Sequence, residues 1–284
     1  MNAPVISSLS NPLIKEILKI KPGKKGEREG RCIIEGPHLI EMALSSQAVI
    51  ERVLFTAEFL ARQDGRRLLR SLVRKVPAGG IIEVSGPVID RLSDTETPQG
   101  ILAVVIFDTA VPEGLAFGNH PLVVICDGIQ DPGNLGSLIR VSDAAGADAV
   151  FILPGTCNPY LPKVIRSTAG SIFHIPLIPV GPEACMDFLR THHIPLAIAD
   201  VRGAVSLFDA DLTGPLALAF GSEARGAGRV LREKADVLLK IPIVGKAESL
   251  NVAMAASICL YEAVRQRSAP ATGQASSRLN FPVA

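Results

Sequence analysis

Tryptophan is absent, tyrosine occurs twice, and aromatic residues make up only 4% of the 284-residue chain. Recognition of single-stranded nucleic acid by rows of stacked bases is therefore disfavoured, since that mode needs aromatic platforms. Cysteine is sparse as well. Cys32, Cys126, Cys157, Cys185 and Cys259 are odd in number, scattered and never spaced as C-x-x-C. This speaks against a disulfide framework and against a zinc site, so the cysteines read as reduced, mostly buried small hydrophobes and no metal is expected. No apolar run reaches the ~18 residues of a membrane span. Met1–Leu9 carries neither the basic nor the apolar region of a signal peptide, so a cytoplasmic protein without a membrane partner is expected. A charge excess is lacking too: 29 Lys+Arg against 28 Asp+Glu leave +1. That balance, taken over the whole chain, speaks against a nucleic-acid binder.

What is present is ample core material, with 48% hydrophobic residues, enough for one large domain or two ordinary ones. Asn11-Pro12 before Leu13, Ile14, Ile17 and Leu18 has the form of a capped amphipathic helix start. Beyond a basic stretch, strand and helix patterns alternate: strands over Cys32–Glu35, Ile50–Phe55, Ile81–Val84 and Ile101–Phe107, helices over Pro37–Leu44, Ala57–Arg74 and Pro87–Leu92. This predicts a small N-terminal α/β domain over residues 1–107. Residues 108–119, with Pro112, Gly114 and Gly118, read as a linker. Over residues 120–267 the alternation resumes with short, nearly continuous apolar runs, as for parallel strands buried on both faces. Crossover helices separate several of them, and a final helix is predicted over Leu250–Arg267. Its apolar residues, including Met254 and Ile258, cover most of its circumference, which suggests burial on several sides. Residues 268–284, rich in Ala, Ser, Pro and Gly, read as a mobile tail.

In an open parallel sheet, ligands bind where loops leave the carboxyl ends of strands. Three such loops stand out: Asp127–Gly136 leading into a helix with Arg140, Gly221–Gly228, and Ile241–Asn251. Each taken singly is also ordinary turn chemistry, with Asn134 and Ser249 as simple N-caps. The first lacks the G-x-G-x-x-G spacing of a dinucleotide site. The five histidines, His38, His120, His174, His192 and His193, lie outside the three loops, have no metal-ligand spacing and read as structural or surface residues.

Taken in order, the loops resemble the three motifs of the SpoU (TrmH) family of RNA ribose 2′-O-methyltransferases, of the SPOUT class. Asp131-Pro132-Gly133-Asn134-Leu135-Gly136 through Arg140 is similar to the first motif, Phe220-Gly221-Ser222-Glu223-Ala224-Arg225-Gly226 to the second, and Ile241-Pro242 through Ser249-Leu250-Asn251-Val252 to the third. Ser8–Lys15 and Cys32–Gly36 are similar to the ribosomal-protein-like substrate-binding domain of many members.

The resemblance implies an α/β fold: a C-terminal SPOUT domain with a parallel sheet and a deep trefoil knot, plus a small N-terminal α/β substrate-binding domain. It implies a homodimer with active sites near the subunit interface. It also implies S-adenosylmethionine as donor, held by Phe220, Gly221, Glu223, Gly226, Ile241, Ser249, Leu250 and Asn251, with Asn134, Arg140, Glu223, Ser249 and Asn251 as the catalytic set. Gly221, Gly226 and Gly245 would let main chain approach the donor closely. Arg140 stays protonated at any ordinary pH, so its expected work is to bind a phosphate or stabilise a developing oxyanion, with Glu223 the better proton acceptor. The implied substrate is structured RNA, 23S ribosomal RNA first and tRNA second. An antibiotic-resistance rRNA methyltransferase has a similar pattern. Two other classes are a non-catalytic RNA-binding ribosome-assembly factor, against which the intact catalytic set counts, and an α/β enzyme acting on a small nucleotide, which would leave the basic N-terminal region without a purpose.

Residues 1–75 hold 14 Lys+Arg against 8 Asp+Glu, and residues 76–284 hold 15 against 20. A basic N-terminal region is thus joined to a mildly acidic remainder, and the neutral total hides both. Within it Lys19, Lys21, Lys24, Lys25, Arg28 and Arg31 are the expected RNA-binding residues, with Lys246 and Arg225 as further cations in the loops.

Overall fold

The structure is a computed structural model that describes residues 4–20, 30–107 and 110–268. The expectations for Lys21, Lys24, Lys25 and Arg28, and for the tail after Ser268, lie outside the described residues.

The N-terminal part contains α1 (Pro12–Leu18), β1 (Arg31–Glu35), α2 (Pro37–Ser45), β2 (Val49–Phe55), α3 (Ala57–Ala61), α4 (Gln63–Leu72), β3 (Ile81–Glu83), α5 (Gly86–Leu92) and β4 (Ile101–Ile106). Its sheet has the order β1-β4-β2-β3, with β4 antiparallel to both neighbours and β2 parallel to β3. Leu39, Ile40, Leu68, Leu69 and Leu72 of α2 and α4 cover one face; Ile14, Ile17, Val88, Ile89 and Leu92 of α1 and α5 cover the other. Asn11 caps α1 as expected, its Oδ1 accepting from Leu13 N at 2.9 Å. The helix expected over Ala57–Arg74 is broken in two. Arg62 is extended, and Gly65 lies so close beneath Phe59 that a Cβ there would meet the Phe59 carbonyl at 2.0 Å. A close main-chain contact between Phe59 and Gly65 accompanies the end of α3, where periodicity alone continues it.

The second part contains β5 (Leu122–Asp127), α6 (Pro132–Ala144), β6 (Ala149–Ile152), α7 (Pro162–Thr168), β7 (Leu177–Pro179), α8 (Pro182–Thr191), β8 (Leu196–Ala199), β9 (Val205–Ser206), β10 (Leu216–Gly221), α9 (Arg229–Lys234), β11 (Val237–Lys240) and α10 (Val252–Ser268). The sheet order is β7-β6-β5-β10-β8-β11-β9 and every pairing is parallel. The apolar strands are buried on both faces, against α6, α7 and α10 on one side and α8 and α9 on the other. The strand β9 and the helix α9 escape sequence reading: one has two residues, and the other buries only Leu231 among charged neighbours. The last helix is buried on one side within this chain. It buries Ala253, Ala256, Cys259, Leu260 and Ala263, while Met254 is 62% and Tyr261 51% exposed.

The two parts share one core. Phe107 stacks on Phe173 at 5.3 Å and packs on Tyr160 at 4.9 Å, His38 Nε2 contacts the Ala169 carbonyl at 3.2 Å, and Met42 fills the space beside Gly170. Leu115 and Phe117, in the segment read as a linker, pack against the second part, Phe117 edge-on to Phe188. His192 lies against Phe188 and His174 beside Asp143. All five cysteines are free, four of them buried. Among the described residues there is no cluster of side chains suited to a metal and no helix long and apolar enough to cross a membrane.

Candidate active site

At the boundary between β5 and β10 the sheet reverses the direction in which strands are added, and the three loops meet there. Asp127 pairs with Gly221 across the last register position, and its Oδ2 accepts from Gly228 N at 2.6 Å. The loop after β5 enters α6 through Asp131, whose Oδ1 caps the helix by accepting from Asn134 N at 2.8 Å. Because Asp131 does the capping, the Asn134 side chain is free for another task.

That task is a bond to the second loop. Asn134 Nδ2 donates to Glu223 Oε1 at 2.6 Å, and Asn251 Nδ2 donates to Asn134 Oδ1 at 2.9 Å and to Glu223 Oε1 at 3.4 Å. Asn251 also caps α10, with Oδ1 accepting from Ala253 N at 2.9 Å and Met254 N at 3.3 Å. Three residues from three separate loops thus form one hydrogen-bonded cluster. Two amide donors hold Oε1, and Oε2 makes no hydrogen bond among the described residues, so it is available as a proton acceptor.

Behind the cluster lies a cavity of about 660 Å³, within the range of ordinary ligand pockets. All eight residues expected to hold the donor line it: Phe220, Gly221, Glu223, Gly226, Ile241, Ser249, Leu250 and Asn251. Its wall is bare main chain at Gly221, where a Cβ would sit 2.0 Å from Ala227 N. Gly226 closes a tight turn at φ +69°, with Ser222 and Gly226 exchanging main-chain hydrogen bonds. At Gly245 no protein atom lies within 4 Å of where a Cβ would be. A smaller cleft of about 140 Å³ opens on the other side of Glu223, between Gly128, Asp131, Asn134 and Arg225.

Sequence reading missed Asp200, Arg202 and Arg232, which also line the large cavity. Asp200 follows β8 directly, so the strand-end rule that singled out the other loops points to it too. Its carboxylate is nearly buried and receives the Arg202 main-chain N–H at 2.8 Å, the Arg202 Nε at 3.3 Å and the Arg232 guanidinium. Burial alone would raise its pKa; the hydrogen bonds from Arg202 and Arg232 outweigh that and lower it. Arg232 Nε reaches the Ala227 carbonyl at 2.9 Å, so this ion pair anchors the glycine loop.

Arg140 is not brought to the cluster. It is exposed on α6, six residues beyond Asn134 and so about 9 Å along the helix, and makes no hydrogen bond or ion pair among the described residues. Ser249 lines the cavity without a hydrogen bond there. Arg31, expected to meet RNA, is turned inward to Glu51 at 2.5 Å and Glu16 at 3.4 Å. Lys19 is exposed at the end of α1. Arg225 and Lys246 are exposed in their loops.

Comparison with known proteins identifies the family. The model of the SpoU rRNA Methylase family matches residues 121–261, and that of the MRM3-like substrate binding domain matches residues 11–103. The 23S rRNA (guanosine(2553)-2′-O)-methyltransferase RlmP of Bacillus subtilis is 33% identical over 90% of this chain and 97% of its own length. The 23S rRNA (guanosine-2′-O-)-methyltransferase RlmB of Haemophilus influenzae is 34% identical, over 82% and 97%. Among solved structures, the SpoU methyltransferase AviRb from Streptomyces viridochromogenes in complex with AdoMet superposes with a TM-score of 0.82 at 30% identity, covering 90% of this chain and 98% of that one.

Proposed function

The chain belongs to the SpoU rRNA methylase family, and on that premise we propose that it methylates a ribose 2′-hydroxyl of structured RNA, 23S ribosomal RNA, with S-adenosylmethionine as donor. The observation that carries this reading is the Asn134–Glu223–Asn251 cluster at the mouth of a glycine-walled cavity. The cavity fits the donor in volume, in its bare main chain at Gly221 and in the apolar Phe220, Leu239 and Ile241 available to an adenine. When bound, S-adenosylmethionine supplies an electrophilic methyl group on a sulfonium.

The residues of this chain do the rest. Glu223 Oε2 would accept the proton that leaves the 2′-hydroxyl, and Asn134 and Asn251 would hold the carboxylate at the correct angle. Arg140 stabilises negative charge on the reacting oxygen or binds a neighbouring phosphate. It lies outside this chain's cavity, and that supports a homodimer in which Arg140 of one copy serves the other copy's site. The exposed Met254 and Tyr261 on α10, a helix packed against α6, suit such an interface. The return of the chain after β11, past β10 to α6, fits the trefoil knot of the family, and a cytoplasmic setting fits the substrate.

The test is incubation with labelled S-adenosylmethionine and total RNA from a strain lacking the protein, followed by mapping of 2′-O-methylation. A single modified nucleotide in 23S rRNA is expected, and absence of label from every RNA would refute the reading. Mixing Arg140→Ala with Glu223→Gln protein tests the shared site: mixed dimers regain activity only if Arg140 works across the interface.

A further inference from the structure

Arg31 is spent on carboxylates of its own chain, yet the N-terminal part must hold RNA if the proposed function is correct. Another set of cations is better placed. Arg66 and Arg70 are exposed on α4, one turn apart, and Arg74 and Lys75 continue from its C-terminal end, also exposed. The opposite face of α4, with Gly65, Leu68, Leu69 and Leu72, is buried, so the helix is fixed and its cations all look outward. Arg74 and Lys75 have no side-chain partner among the described residues. Arg66 bonds the Ala61 carbonyl through Nη1 alone, and Arg70 bonds the Arg66 carbonyl through Nε alone, which leaves the remaining guanidinium donors of each facing solvent. Two nearby carboxylates have other partners: Asp64 is taken by Arg62, and Glu41 lies 3.8 Å from Arg67.

We propose that this face of α4 is the phosphate-binding surface for the RNA substrate, a site that rests on the RNA reading above and locates it. Three observations support it. Successive cations on one helix face rise by about 6 Å per turn, a spacing suited to tracking a charged backbone rather than to holding one small anion. The planar guanidinium suits phosphate recognition. The helix also lies on the right side of the molecule: α4 packs on α2, α2 meets the end of α7 through His38 and Met42, and α7 packs on α6 beside Asn134. The helix α4 thus packs on the same core as α6 and α7, which carry and flank Asn134, and its arginines look outward from that core. On the way, Lys163 of α7 is exposed 3.8 Å from Asp131. Lys19, by contrast, belongs to α1 on the far face of the sheet.

The experiment compares Arg66→Gln/Arg70→Gln/Arg74→Gln with wild type for binding to deproteinised large-subunit RNA between about 50 and 200 mM salt. Arg91→Gln on α5, the other face of the sheet, is the control. The triple variant is expected to lose about 2–3 from the slope of log K against log salt and to raise KM for RNA at least tenfold. Donor binding and kcat at saturating RNA stay unchanged, and Arg91→Gln behaves as wild type. Because Arg66 also braces Ala61, Arg70→Glu/Arg74→Glu provides a second variant that leaves it in place, with the same direction expected. A wild-type-like slope and KM in both variants would overturn the proposal. Wild-type binding that is itself insensitive to salt would instead overturn the RNA reading on which it rests.

Discussion

Glu223 is held by two neutral amides, with no cation paired to it among the described residues. Amide donors orient the carboxylate and leave its Oε2 open toward the cavity mouth. Glu223→Gln is therefore expected to lower kcat by about 10²–10⁴ with donor affinity nearly unchanged, a split that single-turnover methylation and calorimetric titration of the donor would resolve. Arg232 acts through others: it joins Asp200 to the Ala227 carbonyl and so sets the shape of the glycine loop. Arg232→Met should raise KM for the donor about tenfold or more while leaving kcat within a few-fold. Asp200 has its pKa lowered in the folded protein, so its contribution is fully present above the ordinary carboxylate range and is lost only as pH falls below it. Titration of Asp200 should accordingly leave donor binding unchanged across neutral pH, and a donor-affinity profile that dropped between pH 6 and 8 in wild type but not in Asp200→Asn would contradict this role.

At the scale of elements, two glycines mark where main chain had to come close. At Gly221 an added Cβ would overlap Ala227 N, so Gly221→Ala should abolish donor binding by displacing the loop. The cavity floor would remain, and circular dichroism should stay native. At Gly65 the overlap is with the Phe59 carbonyl, which is structural, and Gly65→Ala should destabilise the N-terminal part by roughly 1–3 kcal/mol, read as a shift in denaturant midpoint. These two positions also show what a sequence exposes. The turn chemistry of residues 221–226 stands directly after a buried strand and is legible there. The break at Arg62 is not, because the close fit of Gly65 on the Phe59 carbonyl is a matter of backbone geometry and leaves no mark on the hydrophobic period. The same holds for Asn134: its place in the loop suggests a cap, but the cap is Asp131, and only the meeting of three loops gives Asn134 its partner.

For the whole molecule, the shared core has a consequence for dissection. Removing residues 1–107 would strip Phe107 from Tyr160 and Phe173 and uncover the apolar surface beside Gly170, so loss of RNA affinity in such a truncation would be confounded with loss of stability; charge variants on α4 are the cleaner probe. Phe107→Ala should cost about 2–3 kcal/mol. The C-terminal end is tied down differently. Glu262 has its carboxyl held down to about 2 by hydrogen bonds from Arg265 first and Gln266 second. Gln266 in turn reaches Ala210 and Leu212, and Arg267 reaches Leu212, Gly214 and His120. A lowered carboxyl pKa stabilises the fold at all pH above its ordinary value and releases that contribution as pH falls toward 2. The melting temperature of wild type should therefore fall more steeply than that of Glu262→Gln between about pH 5 and pH 2. The sequence by itself determined the two α/β units, the parallel strands and the three loops, because hydrophobic period and turn chemistry are local properties of the chain. It also determined the uneven charge. The tertiary structure decided which of those residues act together. Strand order places β10 between β5 and β8, bringing residues 134, 223 and 251 within hydrogen-bond reach, and the packing of α4 turns one set of arginines outward while Arg31 is drawn in. Those outcomes depend on contacts between residues far apart in the chain, which no local pattern encodes.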